Sequence, residues 1–92
     1  MEKIVTVLDS KAEAYLKPLF FKSKGEAIRM FENEVNGNHD TMLSKHPEDF
    51  TLYEIGEWDE RSGKLTILEA KIAIGNGMDF KKNGTKLSIS NS

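Results

Sequence analysis

Apolar residues fall along this chain in two rhythms, and the rhythm changes at each polar gap. "KIVTVL" (Lys3 to Leu8) is short, β-branched and almost continuously apolar, the pattern of a strand covered on more than one side. Asp9 and Ser10 end it and favour a turn or a helix start. From Ser23 the period lengthens. Ala27, Ile28, Phe31 and Val35 recur at helical spacing, while Lys24, Glu32 and Asn33 turn outward. "NGN" at 36–38 stops this helix, with Asn36 or Gly37 expected in the left-handed conformation of a C-cap. "HDTMLSKHPED" (His39 to Asp49) is polar and irregular, a loop. Then "FTLYEIGEWDE" and "KLTILEA" (Lys64 to Ala70) read as two strands, joined through "DERSG" with Gly63 at its end into a hairpin. "KIAIGNGMDF" extends the second strand past a kink or forms a short edge piece, since Gly75 and Gly77 argue against anything long and regular.

The tetrapeptide pattern S-x-x-E occurs twice, at Ser10 to Glu13 and at Ser23 to Glu26. Both fit a capping box, in which the serine hydroxyl accepts from a backbone N–H three residues on and the glutamate reaches back. The second opens the main helix. The first is followed only by "AYLK" before Pro18, which limits any helix there to about two turns. The pair is thus expected to mark one full and one abortive helix start, not a duplicated binding site.

Residues 1–80 are therefore expected to form a single α+β domain, a three-stranded, mainly antiparallel sheet with one main helix packed on one face. A right-handed crossover from the first strand to the second leaves the hairpin's second strand between them, an order of 1-3-2. Both edges stay open, and an open edge can pair with a second copy. Residues 81–92, "KKNGTKLSISNS", are polar apart from Leu87 and Ile89 and are expected to form a flexible tail.

Composition adds two constraints. Hydrophobic residues make up 38% of the 92 and charged residues 30%, so the core is thin and a homodimer is a natural way to bury more surface. With no cysteine, disulfides, thiolate metal sites and cysteine nucleophiles are excluded. No apolar run is long enough for a membrane span, and "MEKIVTVLDS" lacks the apolar stretch of a signal peptide, so a soluble intracellular protein is expected.

The net charge of -2 hides an uneven distribution. Lys11, Lys17, Lys22, Lys24 and Arg29 outnumber Glu13 and Glu26 within residues 11–30, whereas Lys45 is the one Lys or Arg among nine carboxylates in residues 31–60. Such asymmetry can become two oppositely charged faces. A local basic patch can override an acidic total where phosphate is the ligand.

Candidate chemistry is sparse. His39, Asp40, His46, Glu48 and Asp49 are the one cluster of metal-ligand types, but they lack a short paired spacing such as H-x3-H and read as a solvated acidic loop. No G-x-S-x-G elbow accompanies the serines, and Gly75-Asn76-Gly77 is too short for a dinucleotide fingerprint. Glu57 and Asp59, two apart on a strand, read as edge charges that discourage aggregation. Neither an enzyme nor a bound cofactor or metal is expected.

"YLKPLFFKSK" (Tyr15 to Lys24) remains. Three rings, three lysines and a proline precede a helix N-terminus whose free N–H groups favour anions. Rings that stack bases beside cations that hold phosphates bind single strands without reading sequence. The plainer reading places Leu19, Phe20 and Phe21 in the core with solvated lysines around them. Tyr15, Lys17, Phe20, Phe21, Lys22, Lys24 and Arg29 are the candidate contact residues.

Four stretches, "DSKAEAYLKPLF" (9–20), "SKGEAIRMFENEVN" (23–36), "KHPEDFTLYEIGEWDERSGKL" (45–65) and "IAIGNGMDF" (72–80), resemble the small nonstructural protein of gokushoviruses, single-stranded DNA phages of the microvirus group. The resemblance implies a phage protein made in the bacterial host's cytoplasm and absent from the finished capsid. It also implies DNA binding by analogy with microvirus proteins that act in genome replication and packaging, and it brings no catalytic residues. "GNGMDFKKNGTKLSISNS" runs longer than the family's pattern. The resulting expectation is a non-enzymatic, homodimeric accessory protein that binds single-stranded DNA. The alternative is a module that binds a viral replication or scaffolding protein or a host factor through an exposed sheet edge, Trp58 and the acidic strand.

Overall fold

The computed structural model describes residues 1–37 and 40–82. Along them run β1 (Glu2–Asp9), β2 (Ala14–Tyr15), β3 (Leu19–Phe21), α1 (Lys24–Asn36), α2 (Met42–Lys45), a 3-10 turn (Pro47–Asp49), β4 (Phe50–Asp59), β5 (Lys64–Asn76) and α3 (Gly77–Phe80). The strands make one open sheet in which every pairing is antiparallel, ordered β2–β1–β4–β5, with β3 beside β1 on the flank that β2 also occupies. The fold class is α+β as expected, but five strands replace three and the order differs.

The order differs because the chain reverses early. β2 and β3 turn back along β1, so β3 and β4 are both antiparallel to β1, flank it, and run parallel to each other with α1 between them in sequence. β1 then pairs along its whole length with β4, the first hairpin strand, and β5 is left outside. Burial follows this order. Residues alternate between buried and half-buried through most of β4, an inner strand, whereas β5 is exposed over most of its length.

The first S-x-x-E is not a helix start. Asp9 accepts from the backbone N–H groups of Lys11 and Ala12, and Glu13 takes the left-handed conformation (φ 57°), so residues 10–13 close a β1–β2 turn. The hairpin tip repeats this device. Asp59 accepts from the Arg61 N–H and the Ser62 hydroxyl, and Gly63 takes φ 71°. Both turns thus use a strand-ending Asp whose carboxylate organises the following backbone, with a left-handed residue four positions on.

The second S-x-x-E behaves as expected. The Ser23 hydroxyl accepts from the Glu26 N–H at 3.2 Å, while the Glu26 carboxylate accepts from the Lys22 N–H, one residue earlier than a standard box. The helix ends without a left-handed residue. Gly37 is extended (φ -74°), and Asn36 lies inside the last turn, where its side chain donates to the Phe80 carbonyl and accepts from the Lys82 N–H. Asn36 thereby clips α3 to α1, a long-range task in place of the local cap.

Two further segments are more regular than their sequence suggests. α2 and the 3-10 turn occupy most of the expected loop, capped by the Thr41 hydroxyl. β5 runs thirteen residues through the expected kink. It absorbs the irregularity as a bulge, because Ile67 to Ile72 spans only Gly56 to Glu54 on β4. Most of the expected tail, residues 83–92, lies outside the described residues.

α1 buries Ala27, Phe31 and Val35 against Val5 and Val7 of β1 and Phe50 and Leu52 of β4, with Phe21, Ile28, Leu43, Ile74 and Phe80 packed around them. A helix about 10 Å across covers roughly two strands spaced at about 4.8 Å. The outer strands therefore keep half-exposed apolar residues on the helix side: Leu16 and Leu19 at one edge, Ile72 at the other. At the N-terminal end of α1 the buried Glu54 carboxylate lies 3.6 Å from the Lys3 ammonium and 3.9 Å from that of Lys24. Lys3 also donates to Glu57 at 2.6 Å, and that hydrogen bond, opposed by desolvation, holds Lys3 above its ordinary value of 10.5.

Candidate nucleic-acid interface

The sheet face opposite α1 carries no helix among the described residues, although Ile4 and Thr6 at its centre are themselves buried. Its membership follows from register. Ile4, Thr6 and Leu8 point away from the core residues Val5 and Val7. Residues paired with them share their face: Tyr15 with Leu8, Phe20 with Ile4, Tyr53 with Thr6. A bulge at Ile55 shifts the β4 register by one residue, so Gly56, opposite Ile4, and Trp58, opposite Glu2, fall on the open face as well. Four rings (Tyr15, Phe20, Tyr53 and Trp58) thus stand on one open antiparallel surface, with Leu65 and Ile67 of β5 beside them.

Local contacts pre-arrange part of this surface. The Tyr15 and Tyr53 rings meet edge to face at 6.1 Å, and the Lys71 ammonium sits 5.2 Å from the centre of the Tyr15 ring. The Thr6 hydroxyl donates to the Leu16 carbonyl at 2.7 Å and holds the β2 edge down. Gly56 permits the close approach of β5: a Cβ there would run into the Thr66 carbonyl and press on the Ile67 side chain.

The seven sequence-derived candidates do not all converge. Tyr15 and Phe20 share the open face, each about half exposed, and Lys17 and Lys22 are exposed along the same edge strand. Phe21 points to the other side and packs against the core. Lys24 is the first residue of α1, beside Glu54, and Arg29 is exposed on α1. Lys17, Lys22 and Arg29 form no ion pair with another described residue. Tyr53 and Lys71 belong to the surface but escaped the sequence reading, which placed Trp58 only in the alternative, protein-binding interface. Simple alternation sets Tyr53 and Trp58 on opposite faces, and only the Ile55 bulge unites them.

Among the expected metal-ligand types, His46, Glu48 and Asp49 can each bring one ligand atom within 4.8 Å of the others, with His46 Nδ1 3.8 Å from Glu48 Oε2. Asp40 is paired instead with Lys45 at 2.7 Å, and His39 lies outside the described residues. No described helix is long and apolar enough to cross a membrane.

These features define a small α+β protein whose antiparallel sheet is covered by a helix on one face and is open and aromatic on the other. The chain belongs to the phage ORF5 protein family, whose model matches residues 2–80. No curated protein and no solved structure matches it.

Proposed function

We propose that this phage protein is a non-enzymatic accessory that binds single-stranded DNA during genome replication or packaging, in a phage of the gokushovirus type. The observation that carries the reading is the open face on which Tyr15, Phe20, Tyr53 and Trp58 stand together, the first two exposed and the last two partly buried, with Lys71 among them and Lys17 and Lys22 along its edge without an ion pair to another described residue. Rings on an open sheet offer stacking positions to unpaired bases, each worth roughly 1–3 kcal/mol, and neighbouring ammonium groups hold the phosphates. Glu54 and Glu57 lie on the opposite face, tied to Lys3, so their charge is directed away from this surface. The alternative of a protein module working through Trp58 and the acidic strand has less support. β4 is an inner strand with both neighbours in place, and its carboxylates are engaged.

The test is binding of a labelled single-stranded oligonucleotide across a salt series. Trp58, the one tryptophan, serves as an internal reporter. Binding is expected with quenching of Trp58 fluorescence, and to weaken steeply as salt rises. Lys17→Ala with Lys22→Ala lowers the log–log salt slope by about 1.4, at about 0.7 for each phosphate contact on a single strand. Phe20→Ala weakens binding at every salt concentration and leaves the slope intact. Absence of binding at low salt, or binding indifferent to all three substitutions, overturns the proposal.

A further inference from the structure

The β2–β3 edge carries a second, separate message. Between Leu16 and Leu19 the strand contains a one-residue bulge at Lys17–Pro18, visible because Leu8 pairs with Tyr15 whereas Ile4 pairs with Phe20. The bulge restores the facing that simple alternation would lose. Tyr15 and Phe20 both lie on the open face, and Leu16 and Leu19 both lie on the helix side. Around Lys17–Pro18 the edge therefore reads the same in both directions: ring, leucine, junction, leucine, ring. Two positions further out, past Ala14 and Phe21, stand Glu13 and Lys22, of opposite charge. All four apolar members are exposed to 45–48%, as residues are when they lack a neighbour on one side.

We infer that this edge pairs antiparallel with the same edge of a second copy, about a twofold axis at the Lys17–Pro18 junction. Tyr15 then lies opposite Phe20 of the second copy, Leu16 opposite its Leu19, and Glu13 opposite its Lys22. The backbone agrees with this register. The Leu16 N–H donates inward to the Val7 carbonyl at 2.8 Å, so by alternation the N–H and C=O of Tyr15 point outward. Val5 points the same way as Val7, which turns its partner Leu19 inward and Phe20 outward. Tyr15 and Phe20 of the second copy thus form a hydrogen-bonded pair, and Leu16 with the second Leu19 the closer, non-hydrogen-bonded pair. Pro18 sits at the axis with no N–H to leave unpaired. The opposite edge is unsuited to the same use. β5 bulges over residues 68–71 and carries Glu69 and Lys71 there, the features that blunt a strand edge. The pairing makes one continuous sheet from two copies, and the open faces join side by side.

The test uses the absence of cysteine. A non-hydrogen-bonded pair places its Cα atoms about 4.5 Å apart, within disulfide range. A Leu16→Cys chain mixed with a Leu19→Cys chain is expected to oxidise to a covalent dimer on a non-reducing gel, and neither variant alone is. Without cysteine, sedimentation of the native chain between about 1 and 100 µM is expected to show a species of twice the 10.4 kDa chain mass. Leu19→Lys, at an exposed position, raises its dissociation constant at least about tenfold by placing like charges near the axis. A native chain that stays monomeric throughout, or single variants that cross-link as readily as the mixture, overturns the inference. These measurements contain no nucleic acid. A dimer that binds no oligonucleotide supports the pairing and removes the DNA reading, and a monomer that binds one does the reverse.

Discussion

Phe31→Ala tests the centre of the fold. The ring is fully buried in the middle of α1, between β1 and β4, and meets the Phe80 ring edge to face at 5.7 Å. An aromatic side chain buries roughly 150–250 Å², which at about 25 cal/mol per Å² gives an upper estimate of about 4–6 kcal/mol. Phenylalanine truncations in cores cost about 3–5 kcal/mol, so about 4 is expected here. A domain of about 80 residues has a total stability of roughly 4–12 kcal/mol, so the variant keeps about two-thirds of it at best. In urea melts followed by circular dichroism, a slope of about 1.5 kcal/mol per M turns this loss into a midpoint lower by about 2–3 M. The Phe80 contact supplies a finer check. Phe80→Ala alone, and both changes together, should reveal a coupling of about 0.5–1.5 kcal/mol between the rings. A Phe31→Ala midpoint within about 0.5 M of the parent would mean that α1 does not pack through this face. Additive losses would mean that α3 is held by Asn36 and not by the ring pair.

Ser23→Ala should cost about 1 kcal/mol through loss of the α1 cap, and Ser10→Ala under about 0.5, because the exposed Ser10 hydroxyl only adds to a backbone bond already made to the Asp49 carbonyl. Equal losses in the same urea melts contradict the assignment of one cap and one turn. Gly56→Ala should cost about 1–3 kcal/mol, because the added methyl meets the fixed Thr66 carbonyl; an unchanged melting temperature would show that the β4–β5 hairpin opens freely there. The Asp59 carboxyl lies below its ordinary value of 3.8, first through the Arg61 N–H and then through the Ser62 hydroxyl. Because the folded value is the lower one, its stabilising contribution is present above the ordinary value and disappears as pH falls through the depressed one. Asp59→Asn should therefore weaken the protein at neutral pH and flatten its loss of stability toward acid; parallel curves for parent and variant in melts from about pH 7 to 2 refute this.

The sequence alone determined what depends on neighbours a few residues apart. The α1 boundaries follow from the Ser23 cap and the spacing of Ala27, Phe31 and Val35, and the hairpin tip follows from Asp59 and Gly63. Tertiary structure decided wherever one local pattern permits two uses. Ser10 to Glu13 has the composition of a capping box, yet Asp9 captures its backbone for a turn, and the Ser10 N–H and hydroxyl are both spent on Asp49, far along the chain. Asn36 could have ended α1 in a left-handed cap, but α3 offered it a carbonyl. The open face depends most on such choices. Single-residue bulges at Ile55 and at Lys17–Pro18 set which rings lie together, and each records a register between strands distant in sequence. A strand's side chains alternate with period two, so one inserted residue reverses every facing beyond it, and only the packed sheet determines where that residue goes.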